Sequence, residues 1–583
     1  MKTRVNLMLA VFSIFGLIVT SPAFSAPTPE QEAGGQERTR ELQEKERALR
    51  EKIEQPQQAP QIIQEAPAQA PAQIQSQEKA LIKTINVTGA SLVTEKEINS
   101  ITSSYKDKEV MLSDLQRAAD MITDLYRKKG FITSRAYLPP QKIENNTVEI
   151  RIIEGIMGDL DVKGNKFFKT GLFRKRIGLK KGEPFNYNIL RGNLSKINQY
   201  PDRNAKTVLA PGKEAGSTDV MLEVKDRLPV HISFDWDNFG SRYLDKQRYQ
   251  TILTHNNLLG FDDIFTLQYQ TAQRYTLHEH DVFYRLASMR YLFPLSDATE
   301  IGFYAANSKL NLGREFENLQ ARGKSQFYSV YGTHTLVNDE NLTVNINAGL
   351  DYKNILNFQL GSETSRDILR IVKAGIEFDR TDNKGRTIIS NEFDVGIPEV
   401  WGALKEQDSR SSRGSSGSGG AFTKNTIDIL RLHKMPWSST LLLKNQDQLT
   451  PSALTASEQF QIGGIANVRG YPPAEFAGDR GYSITGEWSF PPYLVSKDVK
   501  VPFSTAKVYD ALRLTAFYDW GNVWLRNPQA GEHRNMTLRG AGVGMRFNLP
   551  EDFSARIDTG WPLDRTPSDG HHVRTWIKIS KGF

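Results

Sequence analysis

The sequence predicts a transmembrane antiparallel β-barrel of about 16 strands, preceded by two small α+β domains and an N-terminal helix that plugs the barrel. Three observations lead to this fold class. Residues 230–583 alternate apolar and polar side chains, as the strands of a membrane barrel do. Residues 81–227 repeat one order of strands and helices twice. After the N-terminus, no segment approaches the ~20 apolar residues that a membrane-spanning helix needs.

Composition narrows the possible functions of the 583-residue chain. Hydrophobic residues make up 39%, which is too few for a bundle of membrane helices. The net charge of +7 is spread along the chain rather than gathered into basic blocks, so we expect no nucleic-acid partner. Cys is absent, which excludes disulfides, thiolate nucleophiles and Cys-ligated metals.

The first 25 residues have the pattern of a signal peptide. Lys2 and Arg4 precede the apolar stretch Val5–Val19, and cleavage after Ser25 would put small residues at both recognition positions. An uncleaved membrane anchor is the alternative, but the apolar stretch is short for a span. The pattern predicts an exported chain, and an exported chain without membrane helices can span a membrane only as a closed barrel.

Residues 26–55 are predicted to contain a charged helix. Over Gln36–Glu54, pairs such as Glu41 with Lys45 stand four residues apart and support a helix. Its length would be about 29 Å at ~1.5 Å per residue, close to the ~30 Å thickness of the hydrocarbon layer. Because it is too polar for lipid, a water-filled barrel lumen would suit it. A free solvated helix or half of a weak coiled coil fits this segment equally well.

Residues 56–80 are predicted to be a linker. The stretch Gln55–Gln77 contains four Pro, nine Gln and five Ala, a composition that cannot bury a core. Such a segment adopts extended, semi-flexible conformations and could reach roughly 70 Å at ~3.1 Å per residue.

Residues 81–155 and 156–228 are predicted to form two small domains of one kind, each with the order βααββ. The first has strands at Leu81–Val87, near Ser134–Leu138 and at Thr147–Ile153, and helices at Thr94–Ser103 and Ser113–Lys129. Ser113 is expected to cap the second helix and Gly130 to end it. The second domain has strands at Asp159–Val162, near Lys206–Leu209 and at Asp219–Val224, and helices about Lys169–Ile177 and Tyr187–Gln199.

Residues 229–583 are predicted to form the barrel. Phe265, Leu267 and Tyr269 alternate with polar residues, and this two-residue period recurs in segments of about ten residues between turns. At roughly 22 residues for a strand and its connection, the length allows about sixteen strands. A soluble β-sandwich or propeller is the alternative. Ser409–Gly420, which is rich in Ser and Gly, is expected to be a flexible outer loop.

Three groups of residues resemble motifs of one protein family. They are Tyr126-x3-Gly130-Phe131-x5-Tyr137-x-Pro139-Pro140-Gln141; Pro201-x-Arg203, Pro211-Gly212 and Gly216-Ser217-Thr218-Asp219; and Gly463-Gly464-x3-Val468-Arg469-Gly470-Tyr471. In this order they resemble the outer-membrane transporters of two-partner secretion, the haemolysin and filamentous-haemagglutinin exporters of the Omp85 superfamily. The first two groups resemble the signatures of polypeptide-transport-associated (POTRA) domains. The third resembles the VRG(Y/F) motif of the loop that folds back into an Omp85 barrel.

The inward loop, at about residues 457–481, carries Arg469. Inside a barrel this permanent charge needs a carboxylate within hydrogen-bond reach. Strand alternation makes Glu487 and Asp519 face the lumen, so both are candidate partners. In the family the loop arginine pairs with an acidic residue of the barrel wall, and Phe517-x-Asp519-x-Gly521 resembles the strand that supplies it. Asp519 is therefore the first choice and Glu487 the second. An ordinary solvated arginine is the alternative.

The sequence shows no sign of catalysis. It has no nucleotide-binding P-loop, serine-hydrolase elbow or zinc-protease helix. His278-Glu279-His280 lacks further ligands at metal-site spacing, and His571-His572 lies in a polar loop. We therefore expect no enzyme activity, no cofactor and no metal site. The last strand, Val573–Phe583, ends in an aromatic residue and resembles the signal that barrel-assembly machinery reads in outer-membrane proteins.

The resemblance implies a pore in the bacterial outer membrane, with its POTRA domains in the periplasm. Its partners would be a large secreted exoprotein, recognised through its N-terminal secretion domain, together with outer-membrane lipid and the barrel-assembly machinery. The exoprotein could be a haemolysin, an adhesin or a contact-dependent toxin, and export could also activate it. The main alternative is an Omp85-type factor that inserts other barrels, and a passive porin would leave the two small domains without a role.

Overall fold

The computed structural model describes residues 61–64, 79–275, 280–339 and 341–583. The predicted signal peptide, the predicted N-terminal helix and most of the predicted linker lie outside these residues. Two compact units make up the described chain, one of residues 61–229 with 256–262 and one of 230–255 with 263–583. No helix in the described ranges is long and apolar enough to span a bilayer.

The described residues of the first unit form nine strands and four helices. Its strands are β1 (Ile62–Gln64), β2 (Lys79–Ile82), β3 (Thr84–Thr88), β4 (Lys108–Met111), β5 (Arg135–Tyr137), β6 (Thr147–Ile153), β7 (Ile156–Lys163), β8 (Arg203–Pro211) and β9 (Ser217–Asp226). Its helices are α1 (Glu95–Thr102), α2 (Leu112–Lys128), α3 (Thr170–Ile177) and α4 (Tyr187–Gln199), with a 3₁₀ turn at Ser103–Tyr105.

The first small domain packs α1 and α2 against a sheet of order β3-β6-β5. Helix α2 buries Leu115, Ala118 and Ile122, and Gly130 follows it with a φ of 93°, as the sequence predicted. The prediction that Ser113 caps α2 was wrong, because the N-cap lies two residues earlier and Ser113 is inside the first turn of the helix. Met111 is the N-cap, and the Asp114 carboxylate accepts its backbone N–H at 3.0 Å.

Two further details of this domain differ from the prediction. The expected first strand is divided at Lys83 into β2 and β3. The additional strand β4 pairs with β2 in an antiparallel ribbon. Its sequence, Lys-Glu-Val-Met, is too short to show a clear period of two, so only the pairing with β2 reveals it.

The second small domain has the sheet order β1-β8-β9-β7, with α3 and α4 covering one face. Its α4 has the bounds predicted from the sequence, and its strands extend beyond the predicted ones. Strand β1 was not predicted, because Ile62–Gln64 falls in the Pro/Gln-rich segment that we expected to be a linker. It pairs in parallel with β8 at the edge of the sheet.

The second unit is a closed barrel of sixteen antiparallel strands, as predicted. They are β10 (Val230–Asp237), β11 (Arg248–His255), β12 (Ile264–Tyr275), β13 (His280–Pro294), β14 (Thr299–Asn311), β15 (Arg322–Asn338), β16 (Leu342–Gln359), β17 (Ser362–Asp382), β18 (Gly385–Gly396), β19 (Phe422–Met435), β20 (Ser439–Leu449), β23 (Arg480–Phe490), β24 (Leu512–Trp524), β25 (Asn535–Leu549), β26 (Phe553–Pro562) and β27 (Arg574–Gly582). Two short strands, β21 (Phe460–Ile462) and β22 (Phe476–Gly478), form a separate hairpin. Helix α5 spans Val508–Ala511, and 3₁₀ turns occupy Arg314–Leu319, Val400–Gly402, Gly414–Ser416 and Ala456–Glu458.

Closure comes from the pairing of the first strand with the last. Strand β10 pairs antiparallel with β27, so an even number of strands leaves no open edge. The period of two then separates an apolar outer face from a polar interior. On β24, for example, Tyr518 is 46% exposed on the outside while its neighbour Asp519 is fully buried on the inside.

The Ser/Gly-rich loop at residues 409–420 is packed rather than solvated, which corrects the expectation of a flexible outer loop. Ser416 and Ser418 are buried, and Arg413 donates to the Glu532 carboxylate at 2.7 Å. The Ser412 hydroxyl donates to Asp367 at 2.7 Å and also accepts the Ala456 backbone N–H at 2.9 Å. Small side chains allow this close packing, a use that composition alone does not distinguish from flexibility.

Candidate functional site

The candidate site is the loop between β20 and β23, which carries the Val468-Arg469-Gly470-Tyr471 motif. The β21–β22 hairpin forms its base, and residues 463–475 form its tip. Val468 and Tyr471 have no solvent exposure. Since the loop contacts Phe517 and Asp519, whose neighbours on β24 point outward, it lies on the inner face of the barrel wall.

An apolar cluster holds the loop base to the wall. It is formed by side chains from the loop and from β24 and β25, namely Phe460, Ile462, Val468, Tyr471, Val523, Met536 and Leu538. Burial of each large apolar side chain contributes about 1.5–3 kcal/mol, so this cluster supplies much of the attachment. The Tyr471 hydroxyl also accepts the backbone N–H groups of Asp564 and Arg565 at 3.4 and 3.3 Å.

Glycines and one asparagine shape the loop tip. Gly463 and Gly464 have φ values of 108° and 92°, which residues other than glycine rarely adopt. The Gly464 N–H donates to the Tyr471 carbonyl at 3.0 Å, and the Tyr471 N–H donates to the Val468 carbonyl at 3.2 Å. The Asn467 side chain accepts the Gly463 N–H at 2.8 Å. This tight turn presents Arg469 to the wall.

Arg469 is only 2% exposed and is held by the two carboxylates that the sequence singled out. Its Nε and Nη2 donate to the two oxygens of Asp519 at 2.8 and 2.9 Å, a bidentate pair. Its Nη1 donates to Glu487 at 2.5 Å, and its backbone N–H donates to Asp519 at 3.1 Å. The structure therefore brings together the loop arginine and both proposed wall partners.

Three further charged residues complete the cluster, and none of them was predicted from the sequence to be a partner of Arg469. Asp558 on β26 lies 3.7 Å from Arg469 Nη1. Arg546 on β25 bridges Asp558 at 2.9 Å and Glu487 at 3.1 Å, and Arg556 donates to Asp558 at 2.6 Å. Three guanidinium groups thus face three carboxylates, so their formal charges cancel inside the barrel. The same period of two applied to β26 would have placed Asp558 inward.

Two aromatic side chains also contact Arg469, and neither was predicted to do so. The Phe517 ring lies beneath the guanidinium, with 3.3 Å between its centroid and Cζ. Trp576 on the last strand is 2% exposed, and its Nε1 donates to the Arg469 carbonyl at 2.8 Å. Phe239 packs edge-on against Trp576 with a centroid distance of 5.9 Å. The last barrel strand therefore takes part in the site.

The wall behind the loop is lined with glycine. A Cβ at Gly560 would lie 2.9 Å from the backbone of Arg469, and one at Gly521 would lie 2.9–3.0 Å from Ile462 and Val468. In the loop itself, a Cβ on Gly470 would lie 2.7 Å from the backbone of Trp561 and Pro562. These close approaches require glycine on both sides, which lets the loop lie directly against the strands.

Residues of the first POTRA-like motif form hydrogen bonds within the first small domain and between it and the second. Gly130 accepts the Tyr187 N–H at 2.9 Å, so it joins the first domain to the second. The Gln141 side chain exchanges two hydrogen bonds with the backbone of Glu149 on β6, at 2.7 and 2.8 Å. Gln141 comes after Tyr137, the last residue of β5, and after the Pro139-Pro140 pair. Its side chain therefore extends the pairing with β6 beyond the end of β5.

Two buried polar contacts accompany these motifs. Tyr126 donates to Glu154 at 2.6 Å, and burial together with that carboxylate raises the pKa of Tyr126. Within the first compact unit, Arg203 of the second small domain donates to both oxygens of Asp262, at 2.5 and 3.1 Å. Among the described residues no group of acidic or histidine side chains could hold a metal ion. His278 and Glu279 lie outside the described residues.

Comparisons with known proteins agree with this architecture. A family model described as "Haemolysin secretion/activation protein ShlB/FhaC/HecB" matches residues 216–547, and one described as "POTRA domain, ShlB-type" matches residues 80–155. The heme/hemopexin transporter protein HuxB of Haemophilus influenzae is 24% identical, over 84% of this chain and 85% of its own. The outer membrane transporter CdiB of Dickeya dadantii is 23% identical, over 96% of each chain.

Among solved structures, CdiB from Escherichia coli has the same fold. The match has a TM-score of 0.71 and 19% sequence identity, and it covers 96% of this chain and 100% of that one. At this identity the match demonstrates the fold alone.

Proposed function

This chain belongs to the haemolysin secretion/activation protein family ShlB/FhaC/HecB, and on that basis we propose how its residues carry out export. As a member of that family it is an outer-membrane pore that exports a large partner protein by two-partner secretion. The observation that carries the proposal is the loop inside the closed barrel, fixed to the wall by Arg469 and its carboxylates.

The two small domains capture the exported protein in the periplasm. Their sheets end in strands whose backbone groups can pair with an extended, unfolded chain, and strand addition of this kind needs no folded partner. The match of residues 80–155 to a POTRA domain model supports this assignment, since POTRA domains are named for their association with polypeptide transport. The captured segment would be the N-terminal secretion domain of the partner.

The loop motif holds the pore in its closed form and releases it for export. Removing one member of a buried charge cluster is strongly destabilising, because it leaves an unpaired buried charge. The members can nevertheless exchange partners, because each carboxylate has two oxygens that can accept hydrogen bonds. Glu487 contacts two guanidinium groups and Asp558 contacts three, so Arg469 has neighbouring carboxylates to which it can move while it stays paired.

The outer membrane supplies neither ATP nor a proton gradient, so folding of the partner outside the cell would bias its movement outward. The family is one of secretion and activation proteins, so we propose an export role without enzymatic activity. Outer-membrane lipid around the apolar outer face and the barrel-assembly machinery that reads the last strand complete the proposed partners.

The test is secretion of the large partner exoprotein. We would compare wild type, Arg469→Ala, a deletion of residues 81–227, and Arg534→Ala, a solvent-exposed loop arginine, as the matched control. Normal insertion of every variant, with the exoprotein retained in the periplasm only for the first two changes, is the expected result. Continued export alongside failed assembly of other barrels would instead identify an insertion factor.

A further inference from the structure

Three basic side chains form one row on the outer face of the barrel. Arg285 on β13 lies opposite Lys309 on β14, and Lys309 lies opposite Lys324 on β15. All three are exposed, whereas their sequence neighbours Tyr284 and Leu310 are buried on the inner face. Because neighbouring strands lie about 4.8 Å apart, the row places three positive charges within about 10 Å of one another.

The basic row has no carboxylate partner. Within the described part of the chain, none of its three cations forms an ion pair. Other cations on the outer face do have one, since Arg366 on β17 donates to Glu363 at 2.5 Å and Arg539 on β25 donates to Asp564 at 2.7 Å. Like charges directly opposite one another on a sheet are destabilising, so an anion from outside the chain would stabilise the row.

The depth of the basic row is set by a tyrosine below it. Tyr328 lies four residues from Lys324 on the same face of β15 and packs against Tyr352 at a centroid distance of 6.0 Å. Beyond it the exposed side chains of Phe303 and Val330 are apolar. Tyrosines at the edge of an apolar band mark the membrane interface. Four residues of a tilted strand rise about 10 Å, which puts the row at the depth of lipid headgroups.

Two amide side chains lie between the basic row and the tyrosine. Asn307 on β14 stands directly opposite Gln326 on β15, and both are exposed on the outer face. In the described part of the chain neither side chain has a hydrogen-bond partner. An amide both donates and accepts hydrogen bonds, as sugar hydroxyls do. Unpaired cations next to unpaired amides therefore match a ligand that carries both phosphate and sugar.

The basic row is at the end of the barrel away from the start of β10. The chain passes from the second small domain into β10 at Val230, and each following strand reverses direction. Lys309 is near the end of β14, whereas Arg285 and Lys324 are near the starts of β13 and β15, so all three lie at the far end. With the small domains in the periplasm, this end reaches the outer leaflet of the membrane.

We propose that Arg285, Lys309 and Lys324 bind the phosphate groups of a phosphorylated glycolipid in the outer leaflet. The Arg guanidinium offers phosphate a bidentate fork, and each Lys offers a point charge. The two amides would contact the sugar, and the apolar band would contact the acyl chains. Arg322, exposed two residues before Lys324 on the same face, extends the site. The inference rests on the outer-membrane location and is independent of export.

Binding of lipid A to the purified full-length chain in detergent micelles tests the site. The probe is fluorescent lipid A with two phosphates, and the comparison lipids are the same molecule without phosphates and phosphatidylglycerol. We expect the wild-type chain to bind the first lipid at least tenfold more tightly than either of the others. The combined variant Arg285→Gln, Lys309→Gln and Lys324→Gln should lose this preference.

The matched control removes the same number of charges outside the barrel. It replaces three exposed lysines of the first compact unit, namely Lys142→Gln, Lys166→Gln and Lys225→Gln. We expect this control to bind lipid A as the wild type does. Equal binding by the wild type and the barrel variant would overturn the proposal, and so would equal weakening in the barrel variant and the control.

The comparison lipids separate the possible ligands. If the wild type binds phosphatidylglycerol as tightly as lipid A, any anionic lipid suffices and the proposed glycolipid is wrong. Gel mobility of unheated samples shows whether each variant is a folded barrel. If the combined variant does not fold, Lys309→Gln at the centre of the row decides the question. We expect it to weaken lipid A binding several-fold, with Lys309→Arg close to wild type, and equal binding by all three proteins would overturn the proposal.

Discussion

At the scale of single residues, the stability of the site depends on Arg469 being buried and neutralised. Removing a solvated arginine would cost little stability. Removing Arg469 would leave carboxylates of the barrel wall buried without their partner, which is strongly destabilising. Asp519 is fully buried, and Glu487 is 2% exposed. The same argument applies to glycine, because positions with positive φ and close neighbours cannot accept a side chain without strain.

We expect Arg469→Ala to lower the free energy of unfolding of the barrel by about 3–5 kcal/mol, the cost of breaking a buried ion pair. Arg534→Ala, whose side chain is exposed, should lower it by about 0–1 kcal/mol. Urea titration of both variants reconstituted in lipid vesicles measures the difference. Equal small losses would mean that the guanidinium is not buried.

Gly130 provides a second residue-scale prediction. It has a φ of 93°, and a Cβ there would lie 2.7 Å from the Asn186 and Asn188 side chains. We expect Gly130→Ala to lower the free energy of local opening around the end of α2 by about 1–2 kcal/mol. Gly192 lies inside helix α4 of the same unit, and a Cβ there would meet no atom within 4 Å. We expect Gly192→Ala to raise the free energy of local opening of α4 by about 0.5–1 kcal/mol. Hydrogen exchange of the full chain measures both, and effects of the same sign would contradict the argument.

At the scale of elements, the loop and the barrel wall pack closely because glycine occupies the positions where their backbones approach each other. The wall belongs to strands β24 to β26, and the loop approaches it through Gly470. Strand elements also explain why the small domains are suited to capture. Their outer strands present backbone groups that the barrel, being closed, does not offer.

We expect Gly560→Ala to move the loop away from the wall, because the added Cβ would stand 2.9 Å from the Arg469 backbone and neither backbone can give way easily. The displaced loop should leave a wider pore. Single-channel conductance in planar bilayers should therefore rise above that of wild type. Gly486→Ala is the control, since its Cβ would be 3.9 Å from the nearest atom, Leu443 Cδ2. Identical conductance in all three proteins would show that the loop does not restrict the pore.

At the scale of the whole molecule, export requires a captured segment, a pore and something that keeps the pore closed at rest. The barrel is closed by β10 and β27, and β27 also contributes Trp576 to the loop site. Chain closure and loop attachment are therefore coupled through one strand. The predicted helix of residues 26–55 would be a second occupant of the lumen.

Deleting Gln36–Gln55 should raise single-channel conductance if the predicted helix occupies the lumen. The expected rise should add to that of Gly560→Ala, because the helix and the loop would block the pore independently. Outer-membrane abundance of each variant controls for insertion. Unchanged conductance after the deletion would reject the plug.

The sequence by itself determined which barrel residues face inward. Successive strand side chains point to opposite sides, so a period of two was enough to put Glu487 and Asp519 in the lumen and Tyr518 outside. It likewise determined α4 and the end of α2, because helix periodicity and a glycine stop are local signals. The motif around Arg469 pointed to the loop.

Only the tertiary structure decided which residues meet. Asp558, Phe517 and Trp576 reach Arg469 through the register of strands far apart in sequence, and register depends on pairing across the whole barrel. The position of β1 was equally inaccessible, since a Pro/Gln-rich composition predicts an extended chain but not the edge on which it pairs. Local patterns fix the direction of a side chain, whereas its partner depends on contacts that only the closed fold creates.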